Sequence, residues 1–249
     1  GIPIHFHAVD LVERPARRPD TVRPFLGGMQ SRDLDVIPWQ KGRIGGIVEI
    51  AQPQALGLAD IRARGVPNYF GPQRFGRQGA NLDLARRLFA GARLKRDKRS
   101  IAISAARSFL FNEILSVRVA DGSWNHLLPG EAVQLAGSRS FFIADAIDAE
   151  LERRLQAGDV HPSGPLCGRG EPPVTGACRQ LEDDCLAPFE DWVRGLGAAG
   201  MQQERRALRV MPRDVAWSWP AGDELLLEFM LPAGSFATAV LRELVQCGE

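Results

Sequence analysis

Residues 65–76 read GVPNYFGPQRFG, a segment that packs three glycines, three aromatic residues, two amides and an arginine into twelve positions. Because glycine and proline disfavour the interior of helices and strands, the segment predicts a loop with extended pieces. Its rings offer flat faces, and its amides offer paired hydrogen-bond donors and acceptors. Such side chains can hold a planar, hydrogen-bonding ligand such as a nucleobase. Composition alone favours the alternative, in which these rings fill an apolar core.

Helical and strand-like patterns extend outward from this loop in both directions. The predicted helices are 55–64, 81–90, 100–119, 148–157, 181–196 and 235–247, and the predicted strands are 47–50, 209–219 and 225–231. Short strands and turns are predicted over 124–142, and a loop rich in glycine and proline over 158–176. Because strands and helices intermix without a strict βαβ repeat, the predicted fold class is α+β (mixed α/β).

The first 46 residues differ from the rest of the chain. Closely spaced prolines predict a mostly irregular segment, apart from a strand edge that includes His5 and His7. This histidine pair fits an exposed terminal strand better than a metal site. The four cysteines (167, 178, 185 and 247) form no Cys-x-x-Cys pair and have no histidine at ligand spacing. We therefore expect no bound metal.

The composition describes an ordinary globular protein. A chain of 249 residues can bury one large core or two modest ones, and 45% hydrophobic residues with 24% charged residues give no sign of disorder. No apolar run reaches 18 residues, so we expect no membrane span and a cytoplasmic protein. The net charge of +1 is not that of a strongly basic nucleic-acid binder, although arginines gathered on one face would still suit one.

Four stretches in order resemble the D-type tRNA pseudouridine synthases. The first is NYFGPQRFG at 68–76, which matches the family's Asn-Tyr-Phe-Gly-x-Gln-Arg-Phe-Gly motif. The others are SAARS at 104–108 followed by Phe111-Asn112, PGEAVQLAG at 129–137, and LPAGSFAT at 231–238 followed by Arg242-Glu243-Leu244. The resemblance covers residues 58–249.

This resemblance implies an organisation that the sequence pattern alone does not give. The family has a mixed-sheet catalytic domain interrupted by a smaller α/β domain. Here 47–101 and 207–249 would form the catalytic domain, 102–206 the inserted domain, and 1–46 an atypical, non-homologous segment. No cofactor is implied, and we expect a monomer with tRNA as its partner.

The resemblance also implies an activity, the isomerisation of uridine 13 of tRNA to pseudouridine. Phe70 matches the residue that stacks on the target base, Asn68 matches its neighbour in the pocket, and Phe236 matches a second aromatic that lines it. Gln73 and Arg74 are further binding candidates, and Arg74 either holds a phosphate or pairs with a carboxylate inside the protein.

The catalytic carboxylate is the point of departure from the family. The family carries its aspartate in a Gly-x-Lys-Asp motif, which this chain lacks. The nearest look-alike, GMQSRD at 28–33, makes Asp33 the candidate acid, although it is displaced by two residues from the motif position. A truncated or inactive RNA-binding remnant of the family, and a partial protein with exposed sheet edges, are the alternatives. The basic segment 93–99 either contacts the tRNA backbone or is a solvated loop.

Overall fold

The computed structural model describes residues 2–8, 58–221 and 224–244, and it has an α+β fold. Asp33 and the strand predicted at 47–50 lie outside the described residues. The chain divides into two compact units, one formed by 1–68 and 210–249 and the other by 69–209. The bounds of the inserted domain, 102 and 206, stay a prediction of the sequence.

An antiparallel sheet forms the centre of the first unit. Its strands are β1 (Ile2–Ala8), β9 (Arg213–Ala221) and β10 (Glu224–Leu231), with β10 in the middle. Leu227, Phe229 and Leu231 of β10 are buried, because alternate residues of a strand point to one face. The strand edge predicted at His5–His7 is confirmed by the pairing of β1 with β10.

The described part of the first unit also contains helices α1 (Leu58–Arg64) and α7 (Ala237–Leu244), and both fall within helices that the sequence predicts. Helix α1 ends at Gly65, whose φ of 74° lies in the left-handed region that favours glycine. A Cβ at this position would lie 2.5 Å from the carbonyl oxygen of Val210. Gly65 therefore both terminates the helix and permits a close approach of two backbone segments.

The second unit is built around one long helix. Its helices are α2 (Ala80–Phe89), α3 (Arg96–Ala120), α4 (Ala149–Ala157), α5 (Gly176–Leu186) and α6 (Glu190–Ala198). Helix α3 confirms the helix predicted over 100–119 and starts four residues earlier, so most of the basic segment 93–99 is helical rather than a loop. By length and hydropathy α3 is also a candidate membrane span, but most of its apolar stretch is buried within the protein, as in a core helix.

Short strands flank α3. Strands β3 (Glu131–Leu135), β4 (Phe141–Ala144) and β5 (Val160–His161) form one sheet, and β6 (Ser163–Leu166) pairs with β7 (Glu204–Ala207). Strands β5 and β6 lie in the segment predicted as a loop, so that prediction is wrong. They form in spite of Pro162, Gly164 and Pro165, because pairing with β3 and β7 outweighs local propensity. Two further short strands among the described residues are β2 (Val66–Pro67) and β8 (Arg209–Val210).

The helix predicted over 181–196 is wrong as a single element. Pro188 lies in a 3₁₀ turn between α5 and α6, since proline cannot continue the hydrogen-bond ladder of a helix. The break places Phe189 and Trp192 against Phe109 of α3, with ring centroids 5.3 and 5.5 Å from it. These aromatic contacts fix the C-terminal helices of the unit to its central helix.

Two buried ion pairs lie within the second unit. Arg118 of α3 contacts Glu131 of β3 at 3.2 Å, and Arg205 of β7 contacts Glu182 of α5 at 2.7 Å. All four side chains are at most 3% exposed. Because buried charges need both a counter-charge and hydrogen bonds, each pair fixes the position of a strand against a helix.

Candidate active site

A partly open cavity of about 420 Å³ lies within the second unit. Phe70 and Arg74 reach it from the segment that follows β2, and a face of α3 forms its longest wall. Leu166 of β6 and Met201 add apolar surface at its side. The volume falls within the range of about 300–1,000 Å³ that is typical of small-molecule sites.

Phe70 is held in place by Asn112 of α3. The backbone N–H of Phe70 donates to Oδ1 of Asn112 at 2.9 Å, and Nδ2 of Asn112 donates to the carbonyl of Phe70 at 3.0 Å. Asn112 is fully buried, and Phe70 is 8% exposed. A single amide thus satisfies both backbone groups of Phe70, which keeps the ring beside the cavity although no regular element contains it.

Phe111 and Arg206 both contact the ring of Phe70. Phe111 meets it edge-on, with centroids 5.5 Å apart and planes at 85°. The guanidinium carbon of Arg206 lies 4.2 Å from the Phe70 centroid and 5.5 Å from that of Phe111. Arg206 is not among the described residues that line the cavity, so it contacts the ring without forming part of the cavity wall.

Strand β7 explains how Arg206 reaches this place. Successive side chains of a strand point to opposite faces, so Arg205 turns to the buried Glu182 while Arg206 turns to Phe70. Burial and the nearby charge of Arg74 lower the pKa of Arg206 to about 10. The group is still cationic at neutral pH, as a cation–π contact requires.

The α3 wall is mostly polar, with arginines and serines and one apolar residue, Ile103, on one face of the helix. Its cavity-lining residues follow helical spacing and are Arg96, Arg99, Ser100, Ile103, Ser104, Arg107 and Ser108. Arg74 reaches this wall from the opposite side, and its Nη1 donates to Oγ of Ser104 at 2.9 Å. The guanidinium carbon of Arg74 lies 5.6 Å from the Phe70 centroid. Arg74 therefore lies between the aromatic ring and the polar wall.

Arg107 lines the same cavity but has a structural role. Its Nε donates to the carbonyl of Cys167, its Nη2 donates to those of Leu166 and Gln202, and its Nη1 pairs with Glu204 at 3.0 Å. These contacts fix α3 to β6 and to the segment that leads into β7.

Acidic and thiol groups do not supply a nucleophile here. In the part of the chain that the structure describes, no carboxylate lines the cavity and no cluster of His, Cys, Asp and Glu could hold a metal. Burial raises the pKa of Cys167 and of Cys178 to about 12, so both are neutral thiols at physiological pH. The described residues thus offer an aromatic platform and cationic groups, without an acid.

The other predicted site residues are distributed over the chain. Gln73 is exposed in the 3₁₀ turn Pro72–Arg74 and does not line the cavity. Asn68 is 5% exposed and belongs to the first unit, as does the half-buried Phe236 just before α7. Of the candidates, the structure brings Phe70 and Arg74 together at the cavity. The roles of all of them stay predictions.

Two aromatic residues of the quoted loop pack in the core. Tyr69 is 6% exposed and Phe75 is 5% exposed, and neither lines the cavity. Sequence reasoning did not single out Arg206 or the clamp formed by Asn112. A signal for Asn112 exists, since an amide stands directly after the apolar run Phe109–Phe111 in a long core helix. Arg206 has no such local signal, because its partner ring is 136 positions away in the chain.

Comparison with known families identifies the chain. The family model described as tRNA pseudouridine synthase D (TruD) matches residues 80–244. This chain belongs to that family. The match includes α3 with Asn112 and β7 with Arg206, and the resemblance read from the sequence motifs is confirmed.

Bacterial members of the TruD family share much of this sequence. The tRNA pseudouridine synthase D of Nitrosococcus oceani is 52% identical over 195 residues, which cover 77% of this chain and 54% of the relative. That of Xanthomonas campestris pv. campestris is 39% identical over 269 residues, which cover 96% of this chain and 73% of the relative. The second match therefore extends into the first 46 residues. The chain spans about half the length of several curated relatives that it matches.

A solved structure shares the fold. It is described as that of a candidate tRNA pseudouridine synthase D from Methanosarcina mazei and superposes with a TM-score of 0.55, covering 83% of this chain and 70% of the archaeal chain. The identity of 19% limits the comparison to the fold. It supports the α+β class found for this TruD family member.

Proposed function

We propose that this protein acts on tRNA as a D-type pseudouridine synthase, isomerising uridine 13 to pseudouridine. One observation carries the proposal: in a chain of the TruD family, Phe70 is fixed at the edge of a cavity of nucleotide size whose wall is rich in arginine and serine. The cavity would receive the extruded nucleotide, and Phe70 would stack on its base.

The chemistry asks for few protein groups. The N1–C1′ glycosidic bond breaks, the base rotates and a C5–C1′ bond forms; C5 loses a proton and N1 gains one, so the reaction is an isomerisation with no redox step. The target base must first leave its stack, which costs a few kcal/mol, and one stacking contact on an aromatic ring returns about 1–3 kcal/mol. The clamp on the Phe70 backbone supports this step, because a ring that is already in place loses little entropy when the base arrives.

A carboxylate is also needed, as nucleophile or base, against the sugar and base. No described residue supplies one at the cavity wall, so the acid would come from another part of the chain. Asp33 is our candidate. Asn68 and Phe236 are our further candidates for substrate binding, and Gln73 and Arg74 would contact the RNA.

The alternative is an RNA-binding member of the family that lacks turnover. The specific observation in its favour is the absence of a Gly-x-Lys-Asp motif from the sequence. In that case the cavity and its arginines would still bind tRNA, and the nucleotide would be held without reaction. In both cases we propose a cytoplasmic monomer in which residues 102–206 form the inserted domain.

Chemical mapping of pseudouridine separates these two functions. Unmodified tRNA is incubated with the protein and with its Asp33→Ala and Asp35→Ala variants, and position 13 is probed. We expect pseudouridine with the wild type and with Asp35→Ala, but none with Asp33→Ala. Tight tRNA binding without any pseudouridine in the wild type would instead support the inactive alternative.

A further inference from the structure

The cavity concentrates positive charge that the composition of the chain does not predict. The whole protein carries a formal charge of only +1, yet Arg74, Arg96, Arg99 and Arg107 all line this one cavity. No carboxylate among the described residues shares the wall with them. A local cationic surface of this kind attracts anions even when the net charge is near zero.

The four arginines are not equivalent. Three carbonyls and Glu204 engage four of the five N–H groups of Arg107, so the main role of this residue is to hold the wall together. Arg96 and Arg99 are exposed on the first turn of α3 and are three positions apart in the chain. They face the cavity together, because residues three apart lie on the same side of a helix.

Three helical arginines elsewhere in this unit are paired with carboxylates. Arg86 contacts Asp83, Arg153 contacts Glu150 and Arg179 contacts Asp183, each within one helical turn. No ion pair of this kind involves Arg96 or Arg99 among the described residues. The N–H donors of both guanidinium groups are therefore available to bind an external anion.

We propose that Arg96 and Arg99, together with Arg74, bind phosphodiester groups of the RNA next to the nucleotide that stacks on Phe70. This inference rests on the proposed function and names the groups that hold the substrate backbone. Arg74 is placed to link the two parts of the ligand, since it contacts Ser104 on the α3 wall and lies 5.6 Å from the Phe70 centroid. Guanidinium forks match the geometry of phosphate oxygens.

The salt dependence of tRNA binding tests this proposal without requiring turnover. The dissociation constant of labelled, unmodified tRNA is measured by fluorescence anisotropy between 50 and 300 mM KCl, for the wild type and for Arg96→Gln/Arg99→Gln. Each phosphate contact adds roughly 0.7–0.9 to the slope of log affinity against log salt. We expect the slope to fall by about 1.4–1.8 and the affinity at 0.1 M salt to fall roughly 30-fold.

A matched control removes the same charge elsewhere. Arg87 and Arg139 are also exposed and do not line the cavity, so Arg87→Gln/Arg139→Gln should keep the wild-type slope. Equal losses in both double variants would overturn the proposal, as would an unchanged slope in Arg96→Gln/Arg99→Gln. Titration with inorganic phosphate distinguishes the source of the anion: binding of phosphate below 1 mM with an unchanged tRNA slope would assign the site to a free anion and overturn the proposal.

The outcomes also separate this inference from the proposed function. A wild-type protein that binds tRNA with a slope dependent on Arg96 and Arg99, but forms no pseudouridine, supports the phosphate contacts and contradicts the catalytic proposal. If the wild type forms pseudouridine but Arg96→Gln/Arg99→Gln keeps the wild-type salt slope, the catalytic proposal is supported and the phosphate contacts are contradicted. A wild-type protein that does not bind tRNA contradicts both.

Discussion

Asn112 holds both backbone polar groups of Phe70 with one side-chain amide, through hydrogen bonds of 2.9 and 3.0 Å. The amide has one acceptor and two donors, and this contact uses the acceptor and one donor. The residue that presents the ring to the cavity is thereby fixed to the central helix of the unit. Neither an aspartate nor a leucine could make the same pair of bonds.

Loss of the two hydrogen bonds between Asn112 and Phe70 should lower the stability of the protein. In Asn112→Ala the N–H and carbonyl of Phe70 lose their partners in a buried site, and each unsatisfied group costs about 1–3 kcal/mol. We expect a loss of about 2–5 kcal/mol of unfolding free energy, measured by urea denaturation. Ser116→Ala is the control. The Ser116 hydroxyl accepts one long hydrogen bond of 3.3 Å from Tyr69, so its removal should lower the unfolding free energy by less than about 1 kcal/mol. Equal effects of the two variants would contradict a specific role for the clamp.

Arg206 should affect turnover more than binding. If its guanidinium, 4.2 Å from the Phe70 centroid, keeps the ring in position, Arg206→Met preserves bulk but loses a contact of about 0.5–2 kcal/mol. We expect pseudouridine formation at saturating tRNA to slow about tenfold while the tRNA dissociation constant changes less than twofold.

The control for this variant is Arg154→Met, which removes a cation 5.9 Å from the ring of Phe142, a residue that does not line the cavity. It should leave turnover unchanged. A loss of tRNA affinity in Arg206→Met with normal turnover would show that Arg206 binds RNA and does not position Phe70.

The buried ion pair of Arg118 and Glu131 should dominate the stability of the second unit. Arg118→Met leaves a carboxylate without its counter-charge at a fully buried site, which typically costs about 3–5 kcal/mol. The exposed pair of Arg179 and Asp183 is the control, and Arg179→Met should cost less than about 1 kcal/mol. Thermal unfolding of both variants measures the difference, and comparable melting temperatures would refute it.

Stability should fall on acidification because of His161. Burial and the charge of Arg209 lower the pKa of His161 from 6.5 to about 4 in the folded protein. The contact agrees with a neutral ring, since Nε of Arg209 donates to Nδ1 of His161 at 3.1 Å. Between these pH values the unfolded chain binds a proton that the folded protein does not. The stabilisation is therefore complete above about pH 6.5 and is lost as the pH falls to about 4.

Unfolding by urea between pH 4 and 7 checks this expectation. Protonation of His161 should lower the free energy of unfolding of the wild type by up to about 3 kcal/mol between pH 6.5 and pH 4. His161→Gln lacks this titration and should lose correspondingly less stability over the same range. His126→Gln, at an exposed position, should keep the wild-type profile. Identical profiles for His161→Gln and the wild type would contradict the assignment to His161.

The sequence predicted elements where local signals are strong. Helix α4 is capped by Asp148, whose Oδ1 accepts from the N–H of Leu151, and it stops at Gly158 with a φ of 79°. Both signals are readable in the chain. Strand β6 was missed because its glycine and proline disfavour a strand locally, and only its partner β7, some forty residues later, makes it one.

The same distinction applies to the site. Phe70 and Arg74 stand out because they belong to a dense motif, and both line the cavity. The separate roles of the arginines could not be read from the sequence, since Arg107 owes its structural role to carbonyls of Cys167 and Gln202 that approach only in the folded chain. Burial and long-range contact decide these roles, and local residue patterns do not encode them.

Photo-cross-linking tests most directly whether Phe70 receives the target base. A tRNA with 4-thiouridine in place of uridine 13 is bound to the protein, irradiated, and the linked peptide is identified by mass spectrometry. We predict a cross-link within residues 65–76 at or beside Phe70, which weakens in Phe70→Ala. Efficient cross-linking confined to peptides that do not contribute to the cavity would contradict the account.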